Sequence, residues 1–124
     1  MARTHFENLH VYQLSETLAD AVWDLATEWG YFAKDTVGKQ LVRAADSIGA
    51  NIAEGVGRVT YQENRRFVRI ARGSLNETKH WLRRAYKRGL VSKDRVDTIR
   101  PLMQELAPRL NAYLKSIGRR KGSQ

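Results

Sequence analysis

Nine basic side chains lie between residues 65 and 88 at a spacing that could bind phosphate groups. At about 100° per residue around a helix axis, six of them fall within about 40° of one line, which runs along the helix for about 33 Å. Guanidinium groups donate forked hydrogen bonds to phosphate oxygens, and counterion release favours binding to a polyanion. The pattern predicts an RNA- or DNA-binding surface, which we call the cationic face. Its members are Arg65, Arg66, Arg69, Arg72, Lys79, Arg83, Arg84, Lys87 and Arg88.

The cationic face has no feature that would read a base sequence. Aromatic residues are not interleaved with its cations, as they are on surfaces that stack bases. We therefore expect contact with nucleic-acid backbones and recognition of their shape, without sequence specificity. The alternative is a protein-interaction scaffold whose basic face meets an acidic partner protein. Carboxylates of the first predicted helix could also neutralise the cations within the chain; they are Glu16, Asp20, Asp24 and Glu28.

The chain is basic overall, although its first half is acidic. The chain has 124 residues, the size of one domain, with a formal net charge of +9 and a pI of about 10.3. Residues 1–57 carry a net charge of −4, whereas residues 58–100 carry +9. Without cysteine there are no disulfides, thiolate metal sites or cysteine nucleophiles. With no secretory signal and no apolar run near the ~20 residues that span a bilayer, we expect a cytoplasmic protein.

Two Glu-x-x-His pairs resemble the ligand pairs that helical bundles use to bind two metal ions. They are Glu7 with His10 and Glu77 with His80. In an up-down bundle these pairs would lie about 24 Å apart along the bundle axis, and His80 falls on the basic side of its helix. The glycines around Val56 lack the lysine of a phosphate-binding loop, and no serine or threonine occupies a nucleophile elbow. We expect no metal, no cofactor and no enzymatic activity.

Hydrophobic periodicity predicts four helices, which would carry the cationic face on the third. Their predicted ranges are residues 7–29, 36–54, 61–88 and 93–117, and residues 119–124 are predicted to be a flexible basic tail. Thr60 and Glu63 have the spacing of a capping box at the start of the third helix. In the fourth, Pro101 and Pro108 allow either one kinked helix or a break at Arg100. Short connections favour an all-α, up-down-up-down four-helix bundle over residues 1–118.

The third predicted helix has an apolar stripe on the side away from its cations. We expect this stripe to fill the core, although it includes two small hydroxyl residues. Its members are Phe67, Ile70, Ala71, Ser74, Leu75, Thr78, Trp81, Leu82 and Ala85.

Polar residues near the end of the second predicted helix could belong either to a binding site or to the scaffold. We favour a structural role in which Asn51 and Glu54 satisfy backbone groups, and in which Arg43 or Arg58 pairs with Glu54 or Glu77. A second apolar strip on the first helix is turned away from the core and would stay wet in a monomer. It consists of Tyr12, Ala19, Trp23 and Ala26, of which Tyr12 and Trp23 are the candidate contacts between copies.

The segment from Arg43 to Arg58, RAADSIGANIAEGVGR, resembles the signature of a bacterial four-helix bundle family encoded in intervening sequences of 23S ribosomal RNA genes. Phe67, the run from Ile70 to Leu75 and Glu77 match the second block of that family. The resemblance covers nearly the whole chain, and it implies an all-helical bundle that assembles as a homo-oligomer, a pentameric barrel.

The same resemblance implies kinship with the accessory variability determinant of diversity-generating retroelements. That relative is a basic pentamer that binds nucleic acid and a reverse transcriptase, so an adaptor role and a protein partner are implied for this chain as well. Most members of the family have no established activity. The resemblance therefore implies the fold more closely than the function.

Overall fold

Four long helices make up most of the computed structural model, which describes residues 5–119. A short 3₁₀ turn, Phe6–Asn8, precedes the first of them, and no strand occurs within the described residues. The all-α class expected from the periodicity is confirmed. Apart from Arg119, the predicted tail lies outside the described residues. The helices are α1 (His10–Ala26), α2 (Lys39–Val56), α3 (Tyr61–Lys87) and α4 (Lys93–Ser116).

The helical backbone that leads into α2 starts earlier than the pattern predicts. A single α-turn, Tyr31–Ala33, continues through a π-helical turn, Lys34–Gly38, directly into α2. The π turn places Val37 and Gly38 in buried positions. A side chain at Gly38 would come within 3.4 Å of both the Ala33 carbonyl and the Trp29 ring, so glycine permits this close approach.

Hydroxyl groups cap the two helices that carry most of the basic residues. The Thr60 hydroxyl accepts a hydrogen bond from the Glu63 amide at 3.1 Å, and the Ser92 hydroxyl accepts one from the Arg95 amide at 3.2 Å. The other half of the predicted capping box is replaced, because Glu63 Oε2 accepts from Arg66 Nε at 3.4 Å. Each hydroxyl satisfies one of the amides that a helix start leaves without a partner.

Helix α4 runs through both of its prolines without a break. It extends from Lys93 to Ser116, and the apolar positions on either side of Pro101 and Pro108 stay in phase and are buried. The single-helix alternative is therefore the one that the structure shows. The buried residues of α4 are Val96, Ile99, Met103, Leu106 and Leu110.

The helices pack so that α1 and α3 each contact both α2 and α4. The pair α1–α2 therefore lies on one side of the bundle and the pair α3–α4 on the other.

One residue of the apolar stripe of α3 is not in the core. Ile70 is 41% exposed, whereas Val68, which does not belong to the predicted stripe, is buried. The periodicity predicts burial of Ile70 because its position borders the apolar stripe, but the buried side of α3 lies further round the helix and includes Val68. Thr78 fits this core because its hydroxyl donates to the Ser74 carbonyl at 2.8 Å.

Two glycines of α2 allow its neighbours to approach closely. A Cβ at Gly49 would lie 2.8 Å from Ser15 Oγ on α1. A Cβ at Gly55 would lie 2.5 Å from Asn64 Oδ1 and 3.1 Å from the Asn64 carbonyl oxygen on α3. These small residues in the signature segment therefore serve helix packing within one chain.

Candidate nucleic-acid interface

Helix α3 positions eight of the nine residues of the cationic face along one rod. It carries eight basic and two acidic side chains, and Arg88 follows immediately after its last residue. The apolar side of α3 packs against α2 and α4, which directs most of the basic side chains outwards. At 1.5 Å per residue, the 27 residues of α3 span about 40 Å.

The cations of this face are almost free of carboxylate partners. Within residues 5–119, Arg66 is the one member that pairs with a carboxylate, through the 3.4 Å contact to Glu63. Glu16, Asp20 and Asp24 of α1 pair with none of these cations in the part of the chain that the structure describes. Glu28, just beyond the end of α1, pairs with Arg95 of α4 at 2.8 Å instead. The hydrogen bond from Arg95 lowers the pKa of Glu28. The cationic face therefore keeps its positive charge on the outside of the bundle.

Two members of the cationic face also hold α3 against α4. Arg65, which is half-buried, donates from Nη1 to the carbonyl oxygen of Ile117 at 3.0 Å. Arg72 donates from Nη1 to Asn111 Oδ1 at 3.1 Å. The pattern of α3 predicts only nucleic-acid binding for both residues, because it contains no information on where α4 ends. Arg65 in particular has a structural role.

Near the start of α3, the Phe67 ring supports two guanidinium groups. Arg58 lies 4.6 Å and Arg66 4.7 Å from the ring centroid, which is the geometry of a cation–π contact. Phe67, predicted for the core, is thus only half-buried. Arg58 also pairs with Glu54 at 2.8 Å, so one of the alternatives left open for Glu54 is the one observed.

Towards the end of α3, three cations border a groove of about 400 Å³ between α3 and α4. Lys79, Arg83 and Lys87 form one wall, and Arg100 and Gln104 of α4 form the other. We call this the basic groove. Its floor is apolar, and an aromatic side chain lies among the lining residues. These additional lining residues are Leu82, Tyr86, Val96 and Met103.

Sequence reasoning missed the basic groove because its two walls come from different helices. On a helical wheel of α3, Tyr86 falls at the border between the cations and the apolar stripe. This border position is the one feature of the sequence that indicates the groove. Arg100 is held by Asp97, whose Oδ1 lies 3.3 Å from its Nη1. The hydrogen bond from Lys93 to the same carboxylate lowers the pKa of Asp97.

The remaining predicted residues are not brought together into one site. Arg69 is exposed and Arg84 is half-buried on α3, whereas Arg88 borders a separate groove with Phe32, Trp81 and Leu90 at one end of the bundle. Asn51 donates from Nδ2 to the Ser47 carbonyl at 2.8 Å, which is a backbone contact.

Two predicted structural residues stay apart from these contacts. Arg43 and Glu77 are exposed, and neither has an ion-pair partner in the described part of the chain. Arg58 is therefore the partner of Glu54, and Arg43 is not.

The side of the bundle formed by α1 and α2 is acidic and partly apolar. Trp23 is 56% exposed, and Tyr12 is half-buried with its ring 4.9 Å from that of Phe6. Ala26, predicted for the same strip, is instead buried in the core. It faces the π turn before α2, where a Cβ at Gly38 would lie 3.7 Å from the Cβ of Ala26. Partial desolvation and the nearby Asp20 raise the pKa of Asp46 on this side. This acidic side lies opposite the cationic face.

Two further observations concern metal ions and membranes. Among residues 5–119, no three histidine or carboxylate side chains form a group that could hold a metal ion. Over the same residues, no helix has both the length and the apolar character needed to cross a membrane.

Comparisons with known proteins identify a family and a structural relative. The family model for the 23S rRNA-intervening sequence protein matches residues 7–112. A crystal structure from Bacteroides thetaiotaomicron, of a protein with unknown function from the S23 ribosomal protein family, superposes with a TM-score of 0.76. It is 23% identical, and the alignment covers 86% of this chain and 99% of that one, which shows a shared fold. A search of curated proteins found no match.

Proposed function

The chain belongs to the 23S rRNA-intervening sequence protein family. We propose that it is a non-enzymatic helical bundle that binds RNA or DNA backbones through its cationic face. Membership supplies the fold. The charge of α3 supplies the argument for function, since six of its eight basic residues lie close to one line along the helix, where they can bind successive phosphates.

The observation that carries this proposal is that, within residues 5–119, only Arg66 of the cationic face pairs with a carboxylate. Arg69, Lys79, Arg83 and Lys87 are exposed, and none of them pairs with a carboxylate within residues 5–119. Bringing a polyanion against them releases its counterions, which is favourable at low salt. Backbone contacts of this kind carry no sequence information, so we expect binding without sequence specificity.

The test is a salt titration with three polymers: single-stranded RNA, duplex RNA and duplex DNA, each in two unrelated sequences. The proposal predicts binding at low salt, a logarithm of the association constant that falls linearly with the logarithm of salt concentration, and similar affinity for both sequences. No binding to any of the three at low salt would contradict the proposal. That result would favour the alternative, a scaffold whose basic face meets an acidic partner protein.

We also propose that the protein is a homo-oligomer, with Tyr12 and Trp23 in contact with another copy. The exposed Trp23 ring supports this, because large aromatic side chains gain most when a partner removes them from water. The resemblance implies five copies. Light scattering at micromolar concentration should give an oligomer, and Trp23→Asp should reduce its mass. A monomer would contradict the proposal.

A further inference from the structure

We propose that the basic groove between α3 and α4 is a nucleobase site, so that the protein prefers single-stranded nucleic acid to a duplex. This inference rests on the proposed function and deepens it. It places a base of the bound nucleic acid in the groove, whereas the proposed function concerns the phosphates alone.

The groove offers an aromatic surface beside an apolar floor. Tyr86 is 43% exposed, so its ring is open to a ligand, while Leu82 and Met103 below it are buried. Exposed aromatic rings stack on bases of any sequence, because every base has a π face. A methionine thioether also makes favourable contacts with aromatic rings. A flat, apolar ligand therefore fits the floor better than water does.

The walls of the groove carry the charges that a nucleotide strand needs. Lys79, Arg83 and Lys87 follow one another at steps of four residues, about 6 Å apart along α3. This step is comparable to the separation of neighbouring phosphates on an extended strand. Arg100 lies on the opposite wall, where it is paired with Asp97, so the three cations of α3 carry the unpaired charge of the groove. A base of a nucleotide strand can therefore enter the groove and contact its apolar floor, while the phosphates of the strand stay outside and contact the cations at the rim.

The opposite wall also offers a group for the edge of a base. Gln104 is exposed, and its side-chain amide has no hydrogen-bond partner in the described part of the chain. An amide both donates and accepts hydrogen bonds, as the edges of all bases do. A base in a duplex is paired and stacked and would first have to leave the helix, at a cost that a single strand avoids. The groove should therefore select single strands.

The test compares two labelled single strands of about 12 nucleotides, a length within the site size of single-strand binding folds. One is oligodeoxythymidine, and the other is an abasic strand with the same number of phosphates. Fluorescence anisotropy at one low salt concentration should show about 5- to 160-fold tighter binding of the strand with bases, the range for one stacked base. A duplex of the same length should bind more weakly than the oligodeoxythymidine, and equal or tighter binding of the duplex would overturn the preference for single strands.

Three variants locate this preference in the groove. Tyr86→Ala should bring the two affinities together, whereas Tyr86→Phe, which keeps the ring, should preserve their ratio. Tyr31→Ala is the matched control, since Tyr31 is an exposed tyrosine outside the groove, and it should also preserve the ratio. Both affinities are measured on the same preparation, so any unfolded fraction of a variant reduces them alike and cancels in the ratio.

The outcomes separate this inference from the proposed function. Equal affinity for the thymidine and abasic strands, or a ratio that survives Tyr86→Ala, would overturn the nucleobase site while leaving backbone binding intact. A ratio lost in Tyr31→Ala would overturn it too, since the preference would then not reside in the groove. No binding of either strand would overturn both the site and the proposed function.

Discussion

Arg65 and Arg69 lie one helical turn apart on the cationic face, and the structure assigns them different tasks. Arg65 donates to the Ile117 carbonyl, whereas Arg69 is exposed and has no partner within residues 5–119. Replacing each by methionine keeps the aliphatic length and removes the same charge. Hydrogen bonds to charged groups contribute about 1.5–3 kcal/mol, and we take the lower end because Arg65 is half-buried. Arg65→Met should therefore lower the free energy of unfolding by about 1.5 kcal/mol, and Arg69→Met should leave it within about 0.5 kcal/mol.

Urea denaturation followed by circular dichroism measures both values, and the same two proteins can be tested for RNA binding. Arg69→Met should weaken binding and flatten the salt slope by about 0.7 for a single strand, the value for one phosphate contact. Arg65→Met should change the slope less, since its guanidinium is already engaged with Ile117. Equal stability of the two variants would refute the structural role assigned to Arg65.

Three further predictions concern packing, capping and pH. Gly55→Ala should be about 1–3 kcal/mol less stable than Gly73→Ala in urea denaturation, because a Cβ at Gly55 meets α3 and one at Gly73 meets nothing within 4 Å; equal stability would contradict the packing of α2 on α3. Ser92→Ala should cost about 1 kcal/mol by the same measurement, through loss of the α4 cap, and no loss would show that the cap is dispensable. Partial desolvation and the nearby Asp20 raise the pKa of Asp46, so its charged form destabilises the folded protein. Asp46→Asn should therefore melt at a higher temperature than wild type near pH 7. This difference in melting temperature should shrink as the pH falls through the raised pKa, because Asp46 of the wild type then becomes neutral. A difference that grows on acidification would contradict this sign.

The sequence was sufficient for features that depend on one helix at a time. Thr60 could be identified as a cap because its partner is three residues away, and the stripe containing Leu75 and Leu82 could be placed inside because α3 has one continuous apolar arc. Hydrophobic period and residue spacing describe one helix, so they predict interactions within that helix, such as its cap and its apolar side.

Features that depend on two helices were not accessible in the same way. Whether Ile70 or Val68 is buried depends on the angle at which α4 packs against α3. The bond from Arg65 to Ile117 joins residues 52 positions apart, and the basic groove joins Tyr86 to residues of α4. No single-helix pattern contains these relations, since they arise when the helices pack.

The central claim is that the exposed cations of α3 bind phosphates, and a charge-matched comparison tests it most directly. The first double variant, Lys79→Glu with Arg83→Glu, removes two cations from the cationic face. The second, Lys34→Glu with Arg43→Glu, removes two exposed cations elsewhere on the protein. Each double variant lowers the net charge from +9 to +5. In salt titrations with single-stranded RNA, we predict that the first variant flattens the slope by about 1.4, the value for two lost phosphate contacts, and that the second leaves the slope near that of wild type. Equal slopes for the two variants would contradict the claim, because binding would then follow net charge and not the cationic face.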